Sequence, residues 1–208
     1  MILTTNREPD TDELVRRARR GDSSAANLLI DRHRHRLRRM VAIRMDRRLV
    51  RRLDPSDVVQ EALVEALRLL PEYLRDRPMP FYPWLRQIAW NRLVDLHRRH
   101  IISKRRSLDR EVQLDVPLDE QSAYHLADVL LAREPAPGAR LLREELLYRV
   151  RKAVDRLPSE FREVLILRQI EQLSVEEIAA VLSIPQGTVK SRHFRALSQL
   201  RELLDEDT

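Results

Sequence analysis

The chain reads as an all-α protein of two helical domains, and three observations predict this. Only three glycines and 4% aromatic residues occur in 208 positions, while the good helix formers Leu, Ala, Arg and Glu are abundant. Apolar residues recur at the helical period over long stretches in both halves. Between Ile101 and Gly138 that period stops, broken by Ser103, Pro117, Pro135, Pro137 and Gly138. The expected division is a leader over residues 1–10, a helical domain over 11–100, a linker over 101–139 and a second helical domain over 140–208. With 43% hydrophobic residues, each half can bury a helical core.

The opening MILTTNREPDTDEL has no basic stretch followed by an apolar run, so it predicts a disordered leader and not a signal peptide. No apolar segment is long enough to span a bilayer, so no membrane insertion is expected. From Thr11 to Gly21 the pattern DELVRRARRGD predicts a helix, followed by AANLLIDRH in the same register. Arg32 to Arg52 then holds many arginines and almost no acids. Such a run either tracks phosphates or solvates two helix faces.

Asp54 followed by Pro55 is an N-cap and a first-turn proline, opening an amphipathic helix over SDVVQEALVEALRLL. Its expected buried side is Val58, Val59, Ala62, Leu63, Ala66, Leu67 and Leu70. Asp57, Glu61 and Glu65 fall at i, i+4 and i+8 with Gln60 beside them. This acidic and amide face, in an otherwise basic half, suits a basic protein partner better than DNA, unless it is an ordinary solvated face.

In FYPWLRQIAWNRLVDLHRRH, residues 81–100, Phe81, Leu85, Ile88, Ala89 and Leu96 share one stripe. Arg86, Trp90 and His97 are expected on the other side, with Trp90 exposed and Trp84 in the core. An aromatic flanked by Arg86, Arg92, Arg98 and Arg99 suits stacking on an unpaired base beside neutralised phosphates. Asn91 supplies a donor and an acceptor for a base edge, or only fixes a local turn. Past the linker, in which a short helix around Gln121 to Leu131 is expected, helices follow over Leu141 to Leu157 and Phe161 to Gln169.

Ser174 and Glu177 form a capping-box pattern that starts a short helix through Ile178, Ala179 and Leu182. Ser183, Ile184 and Pro185 then make the turn, since proline has no N–H to donate and disfavours helix in the residue before it. Gly187 and Thr188 open a second helix packed through Val189, Ala196, Leu197, Leu200 and Leu204. His193 falls on that stripe and reads as a core histidine. The opposite side carries Ser191, Phe194, Arg195 and Ser198, flanked by Lys190 and Arg201. A helix entering the major groove wants such a set: arginine for guanine edges, a hydroxyl, and apolar surface for thymine methyl groups. The alternative is a solvated basic helix with one stray aromatic.

These residues carry a resemblance. LPSEFREVLILRQIEQLSVEEIAAVLSIPQGTVKSRHFRAL, residues 157–197, resembles region 4 of sigma-70-type initiation factors of bacterial RNA polymerase, and most nearly the small extracytoplasmic-function subgroup. The resemblance implies that Lys190, Ser191, Phe194 and Arg195 read the minus-35 element. Ser183 departs from the glycine common at that turn. DVVQEA resembles the region 2.2 motif that grips the coiled coil of the polymerase's largest subunit, which implies that role for Asp57, Gln60 and Glu61, with Glu65 on the same face. Phe81 to His100 resembles regions 2.3 and 2.4, which implies minus-10 recognition and melting by Arg86, Trp90, Asn91, His97 and Arg98. Binding energy from the unstacked bases would offset the unpairing cost, so no hydrolysis is needed. The resemblance covers most of the chain outside leader and linker. It implies core RNA polymerase, duplex and melted promoter DNA, and an anti-sigma factor as partners. The linker would run through the RNA exit path, or serve as a plain tether.

The remaining composition agrees. Charged residues make up 35% and the net charge is +6, with a pI near 10.2, as a nucleic-acid partner requires. Cysteine is absent, which excludes disulfides, thiolate zinc sites and cysteine catalysis and fits a cytoplasmic protein. The pairs His33/His35 and His97/His100 lack a third ligand and sit among arginines, so no metal is expected. No glycine-rich phosphate loop, nucleophile elbow or HExxH occurs, so neither catalysis nor a cofactor is expected. Two other classes remain to be separated: a free-standing helix-turn-helix regulator, which has no use for Trp90 or the Asp57 face, and a protein-binding adaptor, which has none for Phe194 and Arg195.

Overall fold

The computed structural model describes residues 10–45, 49, 53–100 and 140–206. The leader, the linker with its expected helix over Gln121 to Leu131, and most of the arginine run past Met45 lie outside the described residues. All regular structure among the described residues is helical. The helices are α1 (Thr11–Arg19), α2 (Ser23–Arg44), α3 (Pro55–Asp76), α4 (Phe81–His100), α5 (Arg140–Arg156), α6 (Ser159–Leu165), α7 (Val175–Leu182) and α8 (Gln186–Glu206). The chain forms two compact units, the first built on α1 to α4 and the second on α5 to α8.

In the first unit α1, α2 and α3 each start where a side chain satisfies orphan backbone donors. Asp10 accepts from the Glu13 N–H at 2.8 Å, Asp22 from the Ala25 N–H at 3.0 Å, and Asp54 from the Ser56 N–H at 2.7 Å. These backbone donors hold the Asp22 and Asp54 carboxyls below the usual carboxylate range. Gly21, at φ +90, makes the turn between α1 and α2 that a residue with a Cβ would adopt only under strain.

The four helices meet in one core. Leu14 and Val15 of α1, Leu29, Leu37 and Met40 of α2, Val58, Ala62 and Ala66 of α3, and Leu85, Ala89 and Leu93 of α4 are buried. Each fully buried Leu or Val contributes about 1.5–3 kcal/mol. At one end Tyr73 stacks on Trp84 with ring centroids 4.5 Å apart, and Phe81 packs against both. His33 joins this cluster at 5.5 Å from the Phe81 and Tyr82 rings, its Nε2 bonded to the Thr11 hydroxyl at 3.1 Å. His33 is therefore a core histidine while His35 is exposed.

Two expectations about α3 need correction. The helix does not end near Leu70 but continues through Pro71 to Asp76. Pro71 has no N–H to donate to the Leu67 carbonyl one turn back, so the helix passes it with one hydrogen bond fewer. Leu67 is also not on the buried side: it is 45% exposed, with Val64 at 69%, because both lie round the helix from the stripe of Ala62 and Ala66.

The second unit packs α5, α6 and α8 through Leu147, Val150, Val154, Leu165, Ile170, Ala196 and Leu200. The expected helix over Phe161 to Gln169 is present, but α6 widens into a π turn over Ile166–Ile170. The turn closes with Glu171 N–H on the Ile166 carbonyl, and Leu173 N–H reaches the Leu167 carbonyl at 2.9 Å. Arg168 Nη1 also donates to the Leu173 carbonyl, at 2.7 Å. This segment delivers the chain to the first turn of α7.

Candidate nucleic-acid interface

The helix-turn-helix forms as its residues require. The Ser174 Oγ accepts from the Glu177 N–H at 3.1 Å, and Glu177 accepts from the Ser174 N–H at 2.8 Å, a complete capping box for α7. Ser183 ends that helix in the left-handed region, φ 53 and ψ 41. A serine thus takes the conformation for which glycine is the usual choice. The Pro185 carbonyl accepts from the N–H groups of Thr188 and Val189, so α8 begins at Gln186, one residue before the expected start.

On α8 the buried positions are Val189, Ala196 and Leu200, with Leu197 and Leu204 partly buried. Opposite them Gly187, Lys190, Ser191, Phe194 and Arg195 are all exposed. The four residues expected to read duplex therefore share one strip, one and two turns from the helix start. Phe194 is 71% exposed, although an unpartnered Phe costs solubility and wins no packing. No acid occurs between Gln186 and Arg201, while Lys190, Arg192, Arg195 and Arg201 do. The open helix N-terminus adds its partial positive charge to these cations. His193 is partly buried, bonded to the Gln169 side chain at 3.1 Å, and its pKa is pushed below the usual histidine value by burial and then by Arg168.

On α4 the expected minus-10 residues do not share one face. Asn91 and Arg98 are exposed beside Gln87. Trp90 and His97 are half-buried at the border, and the Nδ1 of His97 is buried with no hydrogen-bond partner among the described residues. Arg86 is only 6% exposed, with its guanidinium 5.8 Å from the Trp90 ring centroid. The expectation that Arg86 and Trp90 project freely is thus corrected. Tyr82 and Leu93 are buried as well, which widens the buried stripe and takes the adjacent Arg86 inside. A cation against the ring holds Trp90 in one orientation. Trp84, expected in the core, is half-buried on Tyr73. Arg92 is committed to an ion pair with Glu61, so Arg98 and Arg99 are the exposed cations of this helix.

On α3, Asp57, Gln60 and Glu61 are exposed and Glu65 is partly so. Glu65 accepts from Arg68 at 2.6 Å, a bond that holds its pKa below the ordinary value. The acidic face is therefore less negative than its sequence suggests, since Glu61 and Glu65 each carry a bound arginine. Exposed Val64 and Leu67 lie beside Gln60 along the helix. Sequence reasoning missed this apolar edge. Its signal was the angular position of Val64 and Leu67, well away from Ala62 and Ala66.

No group of three or more His, Asp or Glu among the described residues could hold a metal ion. No described helix is long and apolar enough to cross a membrane.

Comparison with known proteins identifies the family. Residues 29–101 match the family described as Sigma-70 region 2, and residues 147–200 the family described as Sigma-70, region 4. The chain is 36% identical over 196 residues to the ECF RNA polymerase sigma-E factor of Escherichia coli K12, covering 94% of this chain and 93% of that one. It is 33% identical over 195 residues to the RNA polymerase sigma-H factor of Pseudomonas aeruginosa, covering 93% and 91%. Among solved structures it resembles CnrH in complex with the cytosolic domain of CnrY, with a TM-score of 0.52 and 27% identity over 96% of this chain and 100% of that one. Region 2 and region 4 are thus both present in one chain, as a free-standing regulator would not need. The chain belongs to the sigma-70 family of RNA polymerase sigma factors, in its extracytoplasmic-function group, and is a promoter-directing initiation factor, of a family whose members are not enzymes.

Proposed function

We propose that the three surfaces divide the work of initiation. Asp57, Gln60, Glu61 and Glu65, with the exposed edge of Val64 and Leu67, dock on the coiled coil of the polymerase's largest subunit. Asn91 and Arg98, with Trp90 and His97 at their border, capture the minus-10 strand, and Arg86 acts from beneath by holding the Trp90 ring. Lys190, Ser191, Phe194 and Arg195 read the minus-35 duplex. In this reading residues 11–100 act as region 2 and 140–208 as region 4, with residues 101–139 between them, and the factor works with polymerase in the cytoplasm.

The observation that carries the proposal is the strip on α8: an exposed Phe among cations, free of acids, at the N-terminal end of the second helix of a capped helix-turn-helix. That composition fits a groove lined by phosphates, base edges and methyl groups. The acidic and apolar face of α3 fits a basic, partly apolar helix. An anti-sigma factor is a further proposed partner, supported by the CnrH structure, which was solved with the cytosolic domain of a second protein.

The test is a pair of variants measured for both contacts. Arg195→Ala should weaken promoter binding by the holoenzyme and leave core polymerase affinity unchanged. Asp57→Ala with Glu61→Ala should do the reverse. Equal loss of both contacts in either variant, with the fold intact by circular dichroism, refutes the division.

A further inference from the structure

The stripe by which α8 packs is apolar at Val189, Ala196 and Leu200, which are 1%, 0% and 0% exposed. His193 stands on the same stripe, four residues after Val189 and three before Ala196. Its Nε2 lies 3.1 Å from the Gln169 Nε2. For these nitrogens to bond, the Gln169 amide donates to an unprotonated Nε2, which leaves the ring proton on Nδ1. Gln169 belongs to the π turn, and that turn is tied through Glu171, Leu173 and Arg168 to the cap of α7. The bond therefore links the segment that holds the first helix of the helix-turn-helix to the second, one residue before Phe194.

A leucine at 193 would continue the apolar stripe and bury more apolar surface. What the polar pair adds is direction, because a hydrogen bond weakens steeply with angle while apolar contacts tolerate sliding. The scale matters. A roll of about 10° moves a side-chain tip some 5–6 Å from the helix axis by about 1 Å, enough to spoil a bidentate contact with a base edge. π turns recur at functional sites in helices, and here the turn brings Gln169 to the imidazole while Arg168 stays exposed.

We infer that His193, held by Gln169, is a positioning residue for minus-35 reading: the pair fixes the roll of α8 so that Lys190, Ser191, Phe194 and Arg195 meet the groove in register. This rests on the proposed reading of α8 as the duplex-contacting helix.

The experiment measures discrimination, not affinity alone. Full-length chain is assembled with core polymerase, and binding is compared between a promoter selected with the wild-type holoenzyme and the same promoter with its minus-35 bases scrambled. His193→Leu and Gln169→Leu should each lower that ratio about 3- to 10-fold, the range for one net hydrogen bond. The double variant should be no worse than either single one, because both remove the same bond. His193→Gln, which can still pair with the Gln169 amide, should retain the ratio within about twofold of wild type. A ratio kept by His193→Leu, lost equally by His193→Gln, or lost additively in the double variant overturns the inference. Arg195→Ala separates the two levels: if it leaves the ratio intact, the reading of α8 fails. If it abolishes the ratio while His193→Leu does not, the positioning role alone fails.

Discussion

Phe194→Ala separates a residue kept for binding from one kept for packing. A Phe side chain offers roughly 150–250 Å², and 71% of the residue is exposed, so on the order of 140 Å² of ring awaits a partner. At about 25 cal/mol per Å² full coverage would be worth about 3.5 kcal/mol. A groove covers one face and an edge of a ring, so about 1–2 kcal/mol is the expected share, or roughly a 5- to 30-fold loss of promoter affinity. In the free protein the same truncation removes little buried surface and replaces Phe with a better helix former. Stability should therefore fall by less than about 1 kcal/mol, against about 2–5 kcal/mol for Leu200→Ala on the buried side of the same helix. The assays are holoenzyme binding to promoter duplex and urea unfolding followed by circular dichroism. Promoter affinity unchanged to within twofold, together with a destabilisation like that of Leu200→Ala, would show that Phe194 serves packing and that the exposed strip is not a reading surface.

Other perturbations test the scaffold and its charges. Ser174→Ala removes the hydroxyl that accepts from the Glu177 N–H while the Glu177 carboxylate keeps its backbone donor at residue 174, so the second unit should lose about 1 kcal/mol, read as a lower urea midpoint at unchanged slope. A shift no larger than experimental error would mean the capping box does not matter in context. His193 has a folded pKa below its ordinary value of 6.5, so its contribution to stability is complete above that pH and declines as pH falls through the folded value, because the unfolded chain takes up the proton first. Unfolding midpoints of wild type should thus drop between pH 7.5 and 5.5, and His193→Gln should flatten that dependence. An identical pH slope in the variant would assign it to other groups. Arg92→Gln releases Glu61 from its ion pair, an exposed contact of the kind worth about 0–1 kcal/mol. Core polymerase affinity should rise by no more than about fivefold, and a fall would mean that Arg92 itself touches the polymerase.

Much of the site was legible because it depends on local physics. A capping box needs only Ser174 and Glu177 three residues apart, a proline turn only Pro185, and an exposed strip only the 100° step of the helix. Those rules placed Lys190, Ser191, Phe194 and Arg195 together, and the structure agrees. They failed where burial depends on what lies across the core. A stripe of Phe81, Leu85, Ile88, Ala89 and Leu96 leaves Arg86 projecting, yet Tyr82 and Leu93 are buried too and take it inside. The amphipathic pattern of α3 puts Leu67 with the buried residues, although its angle points outward and it is exposed.

Ion pairs show the same limit. Glu61 and Glu65 look alike in sequence, four residues apart on one face. Glu65 bonds Arg68 one turn on, a partner that local spacing foresees. Glu61 bonds Arg92, 31 residues away on another helix, which no local rule reaches. The π turn is of this second kind: Phe161 to Gln169 has an ordinary helical pattern, and the wide turn appears where Ile166, Leu167 and Ile170 are all buried.

Helix type, the capped starts of α3 and α7 and the exposed strip of α8 were thus determined by the sequence itself, because hydrogen-bond periodicity and capping act over three or four residues. Which arginine is drawn into the core, which apolar residue stays uncovered, and which side chain bonds His193 were decided only by the tertiary structure. These depend on neighbours tens of residues away, whose packing sets burial and charge pairing after the helices have formed.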